Sequence, residues 1–154
     1  MKQTLFEKQK ALLTPSLILA IHVMGWSQGK YFKNGGGCYP FDAKPVNDKP
    51  GKEWSATSIG GTYPFLSGDT IFRTKESFGV TWDPFIDSRQ AAEVAEMLSQ
   101  KNVIFDITNR WDDDSKGWQC SLTVRRKPSF VVFRARGSTV AEAICNAALK
   151  LVSR

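Results

Sequence analysis

Five cations, Arg125, Arg126, Lys127, Arg134 and Arg136, fall within a stretch of twelve residues. Guanidinium groups hold phosphate oxygens through two parallel hydrogen bonds, a geometry that lysine cannot reproduce. The segment therefore reads as an anion site. A hairpin turning at Lys127-Pro128-Ser129 would bring the basic ends of two strands toward each other. Strand alternation then sends Cys120, Leu122 and Val124, facing Val131, Phe133 and Ala135, to one side of the hairpin. Arg125, Arg134 and Arg136 are left on the other. The same charges would also serve as a solvated sheet edge protected against aggregation.

Aromatic groups that could accompany such a site come from a repeated hexapeptide. Gly36-Gly37-Cys38-Tyr39-Pro40-Phe41 recurs as Gly60-Gly61-Thr62-Tyr63-Pro64-Phe65. Paired glycines let a ligand or another strand approach closely, and Tyr-Pro fixes an extended or turned segment that presents a ring. Tyr39, Tyr63 and Trp26 are accordingly the rings expected to stack on a base beside phosphate-binding arginines. The competing interpretation makes both copies aromatic-anchored turns that close a small core.

Other chemistries find less support. Asp112-Asp113-Asp114 sits in an expected hairpin loop without the alternating ligand spacing and turn glycine of a calcium loop. Asp83, Asp87, Glu93 and Glu96 are explained by helix capping and solvation. His22 is the only histidine, so neither a His-based metal site nor a local Cys-His pair is available. Cys38, Cys120 and Cys145 form no CxxC pair, and no phosphate-binding or dinucleotide glycine fingerprint is present. The expectation is a non-enzymatic binding protein with no metal and no cofactor.

The elements that must position the basic hairpin are legible on either side of it. Thr14 and Pro15 can open an N-terminal helix that runs to Gly25 within a helical region 1–25. Asp87 caps a helix from Ser88 to about Gln100, with Gln90 as its reciprocal partner. Three strands should follow, Val103 to Thr108, Trp118 to Arg125 and Phe130 to Arg136. Thr139 and Glu142 then form a capping box for a final helix lined by Val140, Ile144, Ala147, Ala148 and Leu151. Short connections make the strands antiparallel, which defines an α+β layered sandwich. An antiparallel sheet of at least three strands packs there with an N-terminal, a central and a C-terminal helix. Between Trp26 and Trp82 the pattern breaks into short pieces. Strands are expected near Tyr31-Phe32, Thr70-Phe72 and Gly79-Trp82, and a loop at Lys44–Gly51.

A chain of 154 residues with 42% hydrophobic and 23% charged residues is expected to fold as a single domain. Residues 27–81 would be a Gly/Pro/aromatic-rich insertion or lid within it. A formal net charge of +6 favours anionic partners. Lys2, Lys8 and Lys10 precede the apolar run Leu17–Ile21 as in a secretory leader, but Thr14-Pro15-Ser16 and Glu7 break that pattern. No run is long enough to span a bilayer. The odd cysteine count favours a reducing compartment, so the cytoplasm is expected.

Three stretches resemble phage ABA sandwich domain proteins, a family of small phage and prophage proteins. They are Met24-Gly25-Trp26, the segment Trp82-Asp83-Pro84-Phe85-Ile86-Asp87-Ser88-Arg89-Gln90-Ala91-Ala92-Glu93-Val94, and Ala143-Ile144-Cys145-Asn146-Ala147-Ala148-Leu149-Lys150. Pro84-Phe85-Ile86-Asp87 keeps the Pro and Asp of the family's PSTD-like turn but not its small polar pair. The resemblance implies a layered α/β sandwich of phage origin, expressed in the cytoplasm of an infected bacterium. By analogy it implies action against host defences through binding. Three targets fit: a nucleotide signal or other phosphate-bearing ligand held by the arginines, a host defence protein docked on the aromatic middle segment, or nucleic acid. An uncovered sheet edge would also allow a homo-oligomer.

Overall fold

Thr14 opens the first described helix as its sequence requires: its hydroxyl accepts from the Leu17 N–H, and Pro15 stands where a missing N–H costs nothing. The computed structural model describes residues 14–32, 37–40, 44–45, 59–60, 63–74, 79–112, 115–126 and 128–153. In chain order they form helix α1 (Pro15–His22), then strands β1 (Ser27–Phe32), β2 (Gly37–Pro40), β3 (Lys44–Pro45), β4 (Ile59–Gly60), β5 (Phe65–Ser67), β6 (Thr70–Phe72) and β7 (Val80–Thr81). Helix α2 (Ser88–Gln100), strands β8 (Ile104–Asp112), β9 (Ser115–Arg126) and β10 (Ser129–Gly137), and helix α3 (Val140–Val152) follow. Helices and partly antiparallel sheets give the α+β sandwich that the sequence predicts.

Two compact units divide these elements. One holds the described residues up to Met24 and from Asp83 onward, the other those between Gly25 and Trp82.

In the first unit, β9 is the central strand of the order β10-β9-β8, and both of its pairings are antiparallel. Ser129 pairs with Arg126, so only two residues connect β9 to β10. Leu122 faces Phe133 and Cys120 faces Ala135, as the alternation requires, and all four are buried. Helix α3 packs along β9 and β10, α2 packs on α3 and β8, and α1 packs on α3. Ala141, Ala143, Ile144, Cys145, Ala147 and Ala148 put the small, buried stripe of α3 into this core, where Leu19, Val94 and Leu98 are also buried. Small residues permit that close approach. A Cβ added at Gly137 would lie 2.5 Å from the Ala143 backbone nitrogen, so the end of β10 sits directly against the first turn of α3.

Both expected N-caps form. Asp87 and Thr139 do accept from the N–H groups of Gln90 and Glu142. Gln90 and Glu142 also reach residues that precede their caps. The Gln90 side-chain oxygen takes the Asp83 N–H at 2.6 Å, and the Glu142 carboxylate takes the Ser138 hydroxyl at 2.9 Å. The α1 boundary is earlier than expected: the helix ends at His22, and Gly25 adopts φ 72°, in the left-handed region glycine favours. Residues 1–13, the remainder of the expected N-terminal helical region, lie outside the described residues.

The second unit has a sheet of order β2-β1-β5-β6-β7 and a two-stranded β3-β4 pair. β1 runs parallel to β5, while the other pairings are antiparallel. Pro40 lies on β2, the outer strand of its sheet, where a missing donor is tolerated. Phe65, Leu66 and Ile71 form the buried centre of this unit. The Trp26 and Trp82 rings meet edge to face at 4.6 Å. Lys44-Pro45, expected as part of a loop, form β3, and the rest of that segment lies outside the described residues.

Candidate functional site

One face of the β10-β9-β8 sheet carries most of the cations singled out by sequence. Its cross-strand rows follow from the register. Phe130 pairs with Arg125; Val132, Thr123 and Ile104 form the next row; Arg134, Ser121 and Asp106 the third; Arg136, Gln119 and Thr108 the fourth. Arg125, Arg134 and Arg136 are exposed. Phe130 is 61% exposed, Ile104 63% and Val132 43%, so the face is both basic and apolar. Exposed apolar side chains beside arginines are what a binding surface needs and what a purely solvated face avoids.

The hairpin does not gather the five cations at one point. Arg125 and Arg126 lie at the turn, while Arg134 and Arg136 lie four and six positions along β10 from the row of Arg125 and Phe130. At the strand rise, those offsets amount to about 14 and 20 Å. Arg126 also alternates to the opposite face from Arg125. The reason is geometric: a tight two-residue turn puts residues of equal distance from it side by side, and these arginines are at unequal distances. Lys127 lies outside the described residues.

Two depressions mark the ends of the arginine track. The first, of about 770 Å³, is lined by Lys101, Asn102, Ile104, Thr123, Arg125 and Phe130 among others. The second, of about 450 Å³, is lined by Gln119, Arg134, Ala135, Arg136 and Lys150.

Local folding explains the residues that sequence reasoning did not anticipate. Asn102 sits at φ 63° just past the end of α2. The Val103 N–H reaches the Leu98 carbonyl at 3.0 Å and the Asn102 N–H reaches the Ser99 carbonyl at 3.1 Å. This is the paired C-terminal cap in which asparagine substitutes for glycine. Lys101 accompanies it, its ammonium donating to the Val23 carbonyl at 2.6 Å. Lys150, in the last turn of α3, donates to the Arg134 carbonyl at 2.6 Å, and the Asn146 amide donates to the Arg136 carbonyl at 2.9 Å. The signals were available in the sequence as an Asn after the α2 stripe and a Lys one turn from the end of α3, four residues after Asn146.

The aromatic candidates fare differently. Trp26 is only 8% exposed and is packed against Trp82, with the Arg73 guanidinium 5.7 Å from its ring centroid. Its ring belongs to the core of the second unit and leaves little surface for a base. Tyr63 is half-buried, edge-on to Phe65 at 5.3 Å, and Phe65 stacks on Phe72 at 5.0 Å. The Tyr63–Pro64 peptide is cis. The two hexapeptides do not build equivalent structures: Gly37–Pro40 forms β2, whereas Gly60 ends β4 and Phe65 begins β5. The Tyr39 side chain lies outside the described residues, as do Asp113 and Asp114.

Neither buried thiol of the first unit is activated. Burial, reinforced by Asp106, pushes Cys120 up to about 11. Burial first, then Asp83 and Cys120, pushes Cys145 up to about 12. Thiolate, the nucleophilic form, is scarce at neutral pH for both. Among the described residues, no group of three or more His, Cys, Asp or Glu side chains could hold a metal ion, and no helix is long and apolar enough to cross a membrane.

A three-stranded sheet backed by helices agrees with the layered α/β sandwich that the motifs at Met24, Trp82–Val94 and Ala143–Lys150 imply. Residues 17–149 match the phage ABA sandwich domain, and the chain belongs to that family of phage proteins. No curated protein and no solved structure matches it.

Proposed function

We propose that this phage protein is a non-enzymatic binder that captures a phosphate-bearing ligand along the exposed face of β8, β9 and β10, acting in the cytoplasm of an infected host against its defences. The observation that carries the reading is the placement of Arg125 beside Phe130 at one depression and of Arg134 and Arg136 at another. Arginine supplies phosphate contacts, and the exposed Phe130 ring supplies a stacking surface for a base. The separation of about 14 to 20 Å between the anchor points exceeds the reach of a single phosphate group. It suits a nucleotide signal with several phosphates, or a short oligonucleotide, held at both ends. The net charge of +6 favours encounter with either.

The test is anisotropy with a fluorescently labelled short single-stranded oligonucleotide, competed by mononucleotides. Replacing Arg134 and Arg136 with Glu should weaken binding by about a hundredfold, since two charge-assisted contacts are inverted. Unchanged affinity in a variant with native circular dichroism would sink the proposal.

A second reading is docking on a host defence protein. It is favoured by the apolar surface of Ile104, Val132 and Phe130 on the same face, because exposed aromatic and apolar groups flanked by arginine are frequent anchors of protein interfaces. Binding that is insensitive to salt but lost in Phe130→Ala would select it over phosphate capture.

A further inference from the structure

Strand β9 outruns β8. Its pairing with β8 begins at Thr123 and Ile104, whereas its pairing with β10 continues to Arg126 and Ser129. The carbonyls of Arg134 and Arg136 accept from Lys150 and Asn146, which lie on α3 rather than on β9. In an antiparallel ladder the β9 residues that bond to β10 are then Cys120, Leu122, Val124 and Arg126, so Arg125 turns its backbone N–H and C=O toward the β8 side. By count, Asn102 would stand opposite Arg125 there. It does not continue the strand: it adopts φ 63°, and its N–H is drawn back to the Ser99 carbonyl of α2. At this missing rung lies the notch of about 770 Å³ that Ser99, Asn102, Ile104, Thr123, Arg125 and Phe130 line among others.

The two depressions on this face offer different chemistry. The one at the far end of the track is lined by two arginines, Arg134 and Arg136. The notch instead combines two exposed apolar side chains, Phe130 and Ile104, with the Asn102 amide and the hydroxyls of Ser99 and Thr123. The Lys101 ammonium, on the same wall, is turned to the Val23 carbonyl. A planar group with a polar edge suits this lining better than a bare phosphate, because a ring offers a stacking surface and the amide and hydroxyls fix orientation.

Asn102 is the residue whose type the fold alone does not require. A left-handed position just past a helix is filled most readily by glycine, and by asparagine only second. The cap itself uses backbone N–H groups, those of Asn102 and Val103, bonded to Ser99 and Leu98. These two bonds fix where the side chain projects, and among the described residues its amide makes no hydrogen bond of its own. A side-chain amide carries a donor and an acceptor side by side, the pattern complementary to the amino group and neighbouring ring nitrogen on the outer edge of adenine.

We propose that the notch is a nucleobase pocket in which Phe130 stacks on the base and Asn102 selects adenine by pairing with that edge. Resting on the reading of this face as a site for a phosphate-bearing ligand, the pocket narrows that ligand to an adenine nucleotide, or to an oligonucleotide with adenine at the hairpin end and its phosphates leading toward Arg134 and Arg136.

Anisotropy of a labelled short single-stranded oligonucleotide, competed in turn by AMP, GMP, CMP and UMP, tests this, since the four competitors share sugar and phosphate and differ only in the base. In the wild type AMP should displace the probe at about tenfold lower concentration than the other three, the size of one two-pronged contact. Asn102→Gly suits the left-handed position, so the cap survives while the amide is lost, and the four competitors should come close to parity. Asn102→Asp keeps the side-chain size but loses the donor; its added charge acts on all four alike, and it too should lose the preference for AMP. A wild type without that preference, or a preference that survives in natively folded Asn102→Gly, would overturn the pocket assignment and leave phosphate capture standing. An oligonucleotide that does not bind at all would overturn both.

Discussion

The side-chain oxygen of Gln90 accepts the backbone N–H of Asp83 at 2.6 Å. Gln90 is 5% exposed, so this bond forms largely out of water. The Asp83 carbonyl in turn accepts from Ile86 and Asp87 at 3.2 and 2.9 Å. The Asp83 carboxylate also faces the Ser16 hydroxyl at 3.5 Å, linking the turn before α2 to the start of α1. The family motif from Asp83 to Gln90 is thus a structural lock. Gln90→Ala would leave a backbone donor without its partner and should cost about 1 to 3 kcal/mol. Urea unfolding at equal m-value measures it; a change below about 0.5 kcal/mol would contradict the lock.

Gly137 is the point at which β10 turns into α3. An added Cβ would meet backbone atoms of Glu142 and Ala143 at 2.8 and 2.5 Å, and backbone cannot swing aside as a flexible side chain can. Gly137→Ala should therefore destabilise the protein by about 1 to 3 kcal/mol. Thermal unfolding would show it as a lowered Tm, and a neutral outcome would mean that the α3 terminus shifts freely.

The two buried thiols make stability fall in alkali. Their folded values, about 11 for Cys120 and about 12 for Cys145, lie above the ordinary value of 9.0. The unfolded chain loses these protons first as pH rises, so the stabilisation is complete below about pH 9 and declines through the folded values. The slope should be of order 1 kcal/mol per pH unit per thiol. Urea titrations at pH 8 and pH 10, on the wild type and on Cys145→Ala, would reveal it; equal pH sensitivity in both would rule out the Cys145 contribution.

Salt dependence, with Phe130 contributing in both cases, separates the two readings of the basic face. Phosphate capture predicts that Phe130→Ala weakens binding by about tenfold or more, the size of one stacking contact. It also predicts that affinity falls steeply with salt in the wild type and less steeply in Arg134→Glu. A salt-independent affinity measured by anisotropy would count against phosphate capture.

Where one face of an element is buried, the sequence announced it. The α2 stripe Ala91, Val94, Ala95 and Leu98 is buried, and the helix spans Ser88–Gln100 as expected. The pairing of Leu122 with Phe133 follows the alternation read from the sequence. β8 and β9 extend further than expected, to Asp112 and from Ser115, where polar residues resemble a loop. Along β8 both faces carry exposed side chains, so the polar–apolar alternation that betrays a half-buried strand fades. The parallel pairing of Ser27 with Phe65 joins segments distant in sequence, and no local pattern encodes it. For the site, residue type pointed to the arginines, but their separation along β10 depends on register. The contributions of Lys101 and Lys150 depend on where two helices end.

The caps on Arg134 and Arg136 set a limit on growth. A sheet with two equivalent sticky margins would add copies without end and become a fibre. Here Lys150 and Asn146 occupy two backbone acceptors on one margin, the carbonyls of Arg134 and Arg136. In this way α3 blunts the β10 margin of its own sheet by chemistry already present in the chain.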